Sequence, residues 1–294
     1  MKELTIISGK GGTGKTTVTA ALAALGDRKV MADCDVDAAD LALVVRGEVI
    51  ERGDFVGGSL AVVRADDCTA CGRCEGLCRF RAVRKCGPSN AICNATYAVE
   101  PLSCEGCGVC VEFCPVSAVD FRPHTSGEWL ISETVHGPLF HASLLPGEGN
   151  SGKLVALLRE KARRLAAQMD LSLIIADGSP GIGCPVIASI TGASLVLVVT
   201  EPTLSGIYDL ERVGALVQHF DIEALVCVNK WDINKGLAEA VKEYARRSGL
   251  LWAGRIRYDE AATRAQLAGV SLIECDGGAA YDVRGVWEKV AACL

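Results

Sequence analysis

No stretch of this 294-residue chain approaches the roughly 18 uninterrupted apolar residues that a membrane span needs. Nor does the N-terminus read as a secretory leader, since Lys2 and Glu3 are followed by only a short apolar run before Ser8-Gly9, and none is expected. Positive charge is in deficit, with 30 Lys and Arg against 36 Asp and Glu, for a formal net charge of −6. That balance argues against nucleic acid or an anionic lipid surface as the main partner. Without a leader, 15 cysteines point to metal ligation in a reducing compartment rather than to disulfides. A soluble, cytoplasmic protein is expected, and so many thiols favour an anaerobic host. The 50% hydrophobic content is ample for a core, and the length fits one large domain or two modest ones.

Eight of the cysteines fall into two copies of one spacing, C-x2-C-x2-C-x3-C. The first copy is Cys68, Cys71, Cys74 and Cys78; the second is Cys104, Cys107, Cys110 and Cys114, followed by Pro115. This run holds cubane iron–sulfur clusters through thiolates. In two-cluster ferredoxins the fourth cysteine of each run serves the other cluster. On that pattern one 4Fe–4S cluster takes Cys68, Cys71, Cys74 and Cys114, and the second takes Cys104, Cys107, Cys110 and Cys78. Gly72 and Gly108 permit a tight backbone around the sulfides. Arg79 stands where a proline usually follows the fourth cysteine. Paired C-x2-C motifs can also supply the four ligands of a zinc site, but duplication of the whole run favours clusters. Cys86 and Cys93, between the copies, suit loop thiols better than a third metal site. Cys34, Cys227, Cys275 and Cys293 read as small core or surface residues.

Outside this region the pattern is strand alternating with helix. Leu4–Ile7 is a short apolar strand, followed by a glycine-rich turn and an Ala- and Leu-rich helix ending near Gly26. Lys29–Asp33 is a second strand. Lys153–Met169 has a helical apolar period, as do stretches near 205–219 and 234–248. Leu171–Asp177, Leu195–Thr200 and Ala224–Asn229 are short aliphatic runs, as buried parallel strands are. The expected fold is α/β: a doubly wound, mostly parallel sheet. From about 65 to 122 the composition shifts to Cys, Gly and short polar turns, and the two cysteine runs repeat as duplicated halves. A small α+β domain at 65–122 is therefore expected, inserted into a larger domain of 1–64 and 123–294. Residues 129–149 suit short strands and a loop leading back.

Gly9-x4-Gly14-Lys15-Thr16 fits G-x4-G-K-S/T after a strand and before a helix, the context a phosphate loop requires. Gly9, Gly11, Gly12, Thr13, Gly14 and Thr17 would aim backbone N–H groups at phosphates beside a helix N-terminus. Lys15 would bind the β- and γ-phosphates and the Thr16 hydroxyl would ligate Mg²⁺. Asp33-Cys34-Asp35-Val36-Asp37 and Asp177-Gly178-Ser179-Pro180-Gly181 are acidic loops after strands, where carboxylates can serve Mg²⁺ and water. Asp37 and Asp40 read as solvated or structural. Asn229-Lys230-Trp231-Asp232 matches N-K-x-D, in which the Asp carboxylate selects guanine.

The run Lys10-Gly11-Gly12-Thr13-Gly14-Lys15-Thr16-Thr17 resembles the deviant phosphate loop of the MinD/Mrp/nitrogenase-iron-protein group of ATPases. Residues 177–181 resemble that group's D-x-P-P-G, with Ser179 in place of the first proline. Thr200-Glu201-Pro202 and Gly181-Ile182-Gly183-Cys184-Pro185-Val186 add to the likeness, and the whole is similar to MinD-superfamily ATPases with an inserted two-cluster ferredoxin domain. The resemblance implies a homodimer closing over two ATP molecules, with Lys10 reaching the partner's nucleotide. It implies that Asp35 orients the attacking water, that Asp33 and Asp177 serve Mg²⁺ through water, and that Gly181 offers its N–H to the γ-phosphate. It implies that Asn229 contacts adenine, with Lys230 beside it; GTP stays open through Asp232. Cys184 matches the place of a cysteine that ligates a shared cluster in the nitrogenase iron protein, although a lone cysteine is more often a small buried thiol. Val283, Val286, Trp287, Val290 and Leu294 form an apolar stripe on a final helix with few basic residues, which suits core packing rather than a membrane surface.

The combined expectation is a slow, partner-stimulated ATPase whose nucleotide state gates electron transfer, or metal-cofactor assembly, on a protein client. Alternatives are an ATP-dependent cluster scaffold or carrier, and a GTP-dependent redox-sensing regulator.

Overall fold

The computed structural model describes residues 1–294. In chain order its elements are β1 Lys2–Ser8, α1 Lys15–Leu25, β2 Lys29–Asp33, α2 Leu41–Val44, β3 Gly47–Val63, α3 Arg73–Leu77, β4 Val83–Gly87 and β5 Thr96–Val99. There follow α4 Val109–Glu112, β6 Val119–Thr134, β7 Gly137–Leu144, α5 Ser151–Gln168, β8 Leu173–Pro180, α6 Cys184–Ile190, β9 Leu195–Thr200 and α7 Leu204–His219. The chain ends with β10 Ala224–Asn229, α8 Lys235–Arg247, β11 Leu251–Ile256, α9 Glu260–Ala268 and α10 Gly278–Cys293. It forms two compact units, one of residues 1–53, 129–143 and 151–294, the other of 54–128 and 144–150.

The larger unit is built on a nine-stranded sheet in the order β11-β10-β9-β1-β8-β2-β7-β6-β3. β1 pairs in parallel with β8 and β9, β10 with β9 and β11, and β2 with β8 and β7. The expected doubly wound, mostly parallel sheet is therefore present. Side-chain alternation along β1 shows why both faces are covered. Leu4 and Ile6 join Val18 and Leu22 of α1 and Val283, Val286 and Val290 of α10 in one core. Ile7 joins Val186 of α6, Leu210 and Val213 of α7 and Val241 of α8 in the other. Each such fully buried aliphatic side chain contributes roughly 1.5–3 kcal/mol. The apolar stripe of the last helix faces the first of these cores. No helix is long and apolar enough to cross a membrane. The C-terminal ends of β1, β2, β8 and β10 carry Ser8, Asp33, Asp177 and Asn229 to one edge, where open α/β sheets bind ligands.

In the smaller unit, β4 and β5 form an antiparallel pair, and Cys68, Val83, Tyr97 and Ala118 share a small core. The sequence repeat is a structural repeat. Gly72 (φ 78°) and Gly108 (φ 74°) are left-handed residues that start the short helices α3 and α4; a side chain at either would strain that turn. Ala82 N–H lies 3.3 Å from Cys78 Sγ, and Ala118 N–H lies 3.2 Å from Cys114 Sγ. The unit reaches beyond 65–122 because β3 and β6 are long strands that carry the chain in and out. Arg64 N–H meets the Ala118 carbonyl (2.7 Å), and Leu145 N–H meets the Ser126 carbonyl (2.9 Å). No change in composition marks those strands, so spacing and cysteine content alone place the boundary too tightly.

Candidate nucleotide and thiol sites

The phosphate loop folds as its glycines require. Gly14 is left-handed (φ 84°) and starts α1, and a Cβ there would come within 2.4 Å of Asn229 Nδ2. Lys15 is buried, with Nζ 2.9 Å from Asp177 Oδ1 and 3.4 Å from Asp35 Oδ2. Burial disfavours its ammonium, but Asp177, Asp35 and Asp33 outweigh that and hold its pKa above the ordinary lysine range. Thr16 Oγ1 donates to Asp177 Oδ2 (2.6 Å). Asp33 is fully buried and accepts from the Asp35 N–H (3.1 Å) and the Leu41 N–H (3.0 Å). Burial, then the nearby Asp177, pushes the Asp33 carboxyl well above the usual range. Burial also raises Asp35, against the pull of Lys15. Three carboxylates thus act on one lysine and stabilise its ammonium.

Lys15, Thr16 and Asp35 border a cavity of about 630 Å³ lined also by the rest of residues 11–17 and by Asp37, Asp40, Ser179, Pro180 and Gln266, among others. A second cavity of about 240 Å³ shares Gly12, Gly14, Thr17 and Gln266 with it and continues to Asn229, Lys230, Arg257 and Tyr258. Asn229 Nδ2 donates to the Thr13 carbonyl (2.8 Å) and Lys230 Nζ pairs with Glu201 (2.6 Å). Asp232 does not line this cavity; its Oδ1 accepts the Tyr258 N–H (2.7 Å). Lys10 Nζ donates to Ser205 Oγ (2.9 Å) and lies 3.8 Å from Glu201, away from the phosphate cavity. The Gly181 N–H donates to the Ser8 carbonyl (2.8 Å), so offering it to a phosphate requires this loop to move. Cys184 is exposed at the start of α6, not buried.

Several residues of this site escape the motifs. Thr19 is buried, with Oγ1 2.7 Å from Asp177 Oδ1 and 3.0 Å from the Lys15 carbonyl oxygen. Its position four residues after Lys15, on the same face of α1, is a signal that could have found it. Gln266, Arg257 and Tyr258 carry no such signal, because they reach the site through tertiary packing.

The eight cysteines of the repeat ring two cavities in the smaller unit. One is lined by Cys68, Cys71, Cys74 and Cys114, with Tyr97 and Pro115. The other is lined by Cys78, Cys104, Cys107 and Cys110, with Phe80 and Val109. Each combines three cysteines of one run with the fourth of the other. No three Cys, His, Asp or Glu side chains converge as a single metal ion would require. Cys86 and Cys93 line neither cavity; Cys93 Sγ lies 3.3 Å from Asn90 Oδ1.

The model of the CobQ/CobB/MinD/ParA nucleotide binding domain matches residues 4–272. The chain belongs to this family. With every position of the phosphate-loop motif present and Asp177 beside Lys15 and Thr16, it is a P-loop ATPase. It is 32% identical over 235 residues to MJ0578, an uncharacterized protein of Methanocaldococcus jannaschii, covering 79% of both chains. Its fold is similar to that of the septum site-determining protein MinD complexed with Mg-ADP from Pyrococcus horikoshii (TM-score 0.56, 16% identity, 98% of this chain and 95% of that one). It is also similar to that of the Cyanothece McdA(D38A)–ATP complex (TM-score 0.59, 19% identity, 100% and 96%).

Proposed function

We propose that this ATPase carries two 4Fe–4S clusters in its inserted unit, and that its nucleotide state gates electron transfer or cluster assembly on a protein client. The observation that carries the reading is the crossed arrangement of the thiols. A cubane spreads its four ligands around a cage, so cysteines ringing a cavity suit it, and each ring borrows one cysteine from the other run as two-cluster ferredoxins do. When bound, such clusters supply one-electron chemistry at a potential set by their surroundings. The chain's own part is to hold them. Tyr97 and Val83 pack against the thiols, and the Ala82 and Ala118 amides reach the Sγ atoms of Cys78 and Cys114.

In the larger unit, Mg-ATP is the substrate that fits. Lys15 and residues 11–17 hold the phosphates, Thr16 and, through water, Asp33 and Asp177 serve Mg²⁺, and Asp35 orients water. Lys10 acts across a homodimer once freed from Glu201 and Ser205. Asn229 receives adenine in the cavity that Arg257 and Tyr258 also line; a guanine-selecting role would need Asp232, whose carboxylate is engaged elsewhere. A second reading, cluster hand-over to a client, is favoured by the exposure of Cys71 and Cys107.

Anaerobic purification followed by iron analysis, EPR and nucleotide hydrolysis on one sample tests both halves. About eight irons per chain, with cluster signals that change on adding ATP, is the expected result. Colourless protein with intact hydrolysis would reject the cluster half alone. Transfer of iron and sulfide to an apoprotein, rather than electrons alone, would select the second reading.

A further inference from the structure

Ser179 stands on β8 two residues beyond Asp177, and Cys34 stands between Asp33 and Asp35 at the end of β2. The strand register sets Asp33 opposite Asp177. Cys34 is then held twice: its N–H donates to the Asp177 carbonyl (2.8 Å), and its carbonyl accepts from Ser179 Oγ (2.7 Å). Ser179 is 2% exposed and Cys34 fully buried, so water cannot replace this bond. The pattern D-x-P-P-G has proline at this position, and proline can donate neither from a hydroxyl nor from an N–H. The cross-link therefore belongs to this chain's own departure from that pattern.

We infer that Ser179 is a positioning residue for ATP hydrolysis, whose hydroxyl locks the Asp35 loop to the Asp177 loop. The inference rests on the ATPase assignment. Asp35 follows the locked carbonyl directly, and its N–H is tied to Asp33, so its carboxylate inherits the position of Cys34. Asp177 is fixed from the other side by Thr16 and Thr19. One spacing between the two carboxylates is thereby set before the nucleotide reacts, which is where positioning contributes most to phosphoryl transfer. The same segment continues through Leu41, whose N–H bonds Asp33, into α2 and β3, the strand along which the chain enters the inserted unit.

The test compares Ser179→Ala, Ser179→Thr and Lys15→Ala for hydrolysis of Mg-ATP, with ATP affinity and melting temperature measured on each. Ser179→Ala should lower kcat about fivefold while KM stays within about twofold, because the phosphate contacts are untouched. Ser179→Thr, which keeps the hydroxyl, should restore most of kcat. Wild-type kcat in Ser179→Ala overturns the inference. So does a loss of kcat, affinity and melting temperature together, which packing alone would produce. Lys15→Ala separates the two levels: if it hydrolyses ATP normally, the ATPase assignment of this site fails, whatever Ser179 does.

Discussion

Lys15 Nζ lies 2.9 Å from Asp177 Oδ1, and both side chains are almost wholly buried. This pair joins the phosphate loop to the loop after β8, and its lysine also faces Asp35 and Asp33. Lys15→Ala should lower ATP hydrolysis by at least about 100-fold, since it removes the main preorganised charge at the phosphates. It should also lower the melting temperature of the nucleotide-free protein, because the buried carboxylates lose their counter-charge. Iron content should not change. Steady-state hydrolysis, a thermal melt and iron analysis on one preparation check all three.

The proposed base site lies at the end of β10. Asn229 borders the second cavity while braced on the Thr13 carbonyl, whereas Asp232 holds the Tyr258 amide. Asn229→Ala should raise KM for ATP about tenfold, the cost of an unmet polar contact. Asp232→Ala should leave the ATP-over-GTP preference as it is. Competition between the two nucleotides for one site measures both. A switch of preference in Asp232→Ala would revive the guanine reading.

Much of this fold is legible in the amino-acid sequence. The strands Lys29–Asp33, Leu195–Thr200 and Ala224–Asn229 appear with the bounds their aliphatic runs indicate. Runs of that kind are buried on both faces, and no alternation is needed to see them. β3, β6 and β11 were harder, being half-exposed strands of mixed composition whose pairing depends on neighbours distant in sequence. The same limit applies to the site. Lys15 and Thr16 are set by local spacing, but the Ser179–Cys34 bond and the Glu201 clasp on Lys10 and Lys230 join residues far apart in the chain.

Thiol chemistry should divide the cysteines by burial. Burial pushes the Cys227 thiol up to about 12, and the fully buried Cys34 is raised as well. Only the thiolate attacks an alkylating agent. At pH 8 both should remain unmodified in the folded protein, while the exposed Cys86 and Cys184 react. Raising the pH to 9 should leave Cys227 and Cys34 protected, since 9 is still below the pH at which either ionises. Mass spectrometry after iodoacetamide gives the sites directly. Early labelling of Cys227 would mean that the first core, the one shared by α1 and α10, opens.

The final helix offers a stability test. Val286 is buried against β11, where a Cβ on Gly254 would meet its Cγ2 at 3.1 Å. Val286→Ala should destabilise the larger unit by about 1–3 kcal/mol through lost burial and a residual cavity. A helix that instead lay on a lipid surface would leave the stability of the protein in aqueous solution unchanged. Denaturant unfolding of wild type and variant tells the two apart.

The crossed thiol rings make a prediction about pairs that no single variant can reach. Cys78 lines the cavity of Cys104, Cys107 and Cys110, and Cys114 lines that of Cys68, Cys71 and Cys74. Cys78→Ala and Cys104→Ala should each remove one cluster, leaving about half the iron. Because both residues border one cavity, Cys78→Ala/Cys104→Ala should also leave about half, the second substitution adding nothing. Cys78→Ala/Cys114→Ala strikes both cavities and should leave almost none. If each run instead closed on its own metal, Cys78→Ala/Cys104→Ala would empty both sites. The iron content of these two double variants therefore distinguishes a crossed ferredoxin-like pair from two independent four-cysteine sites.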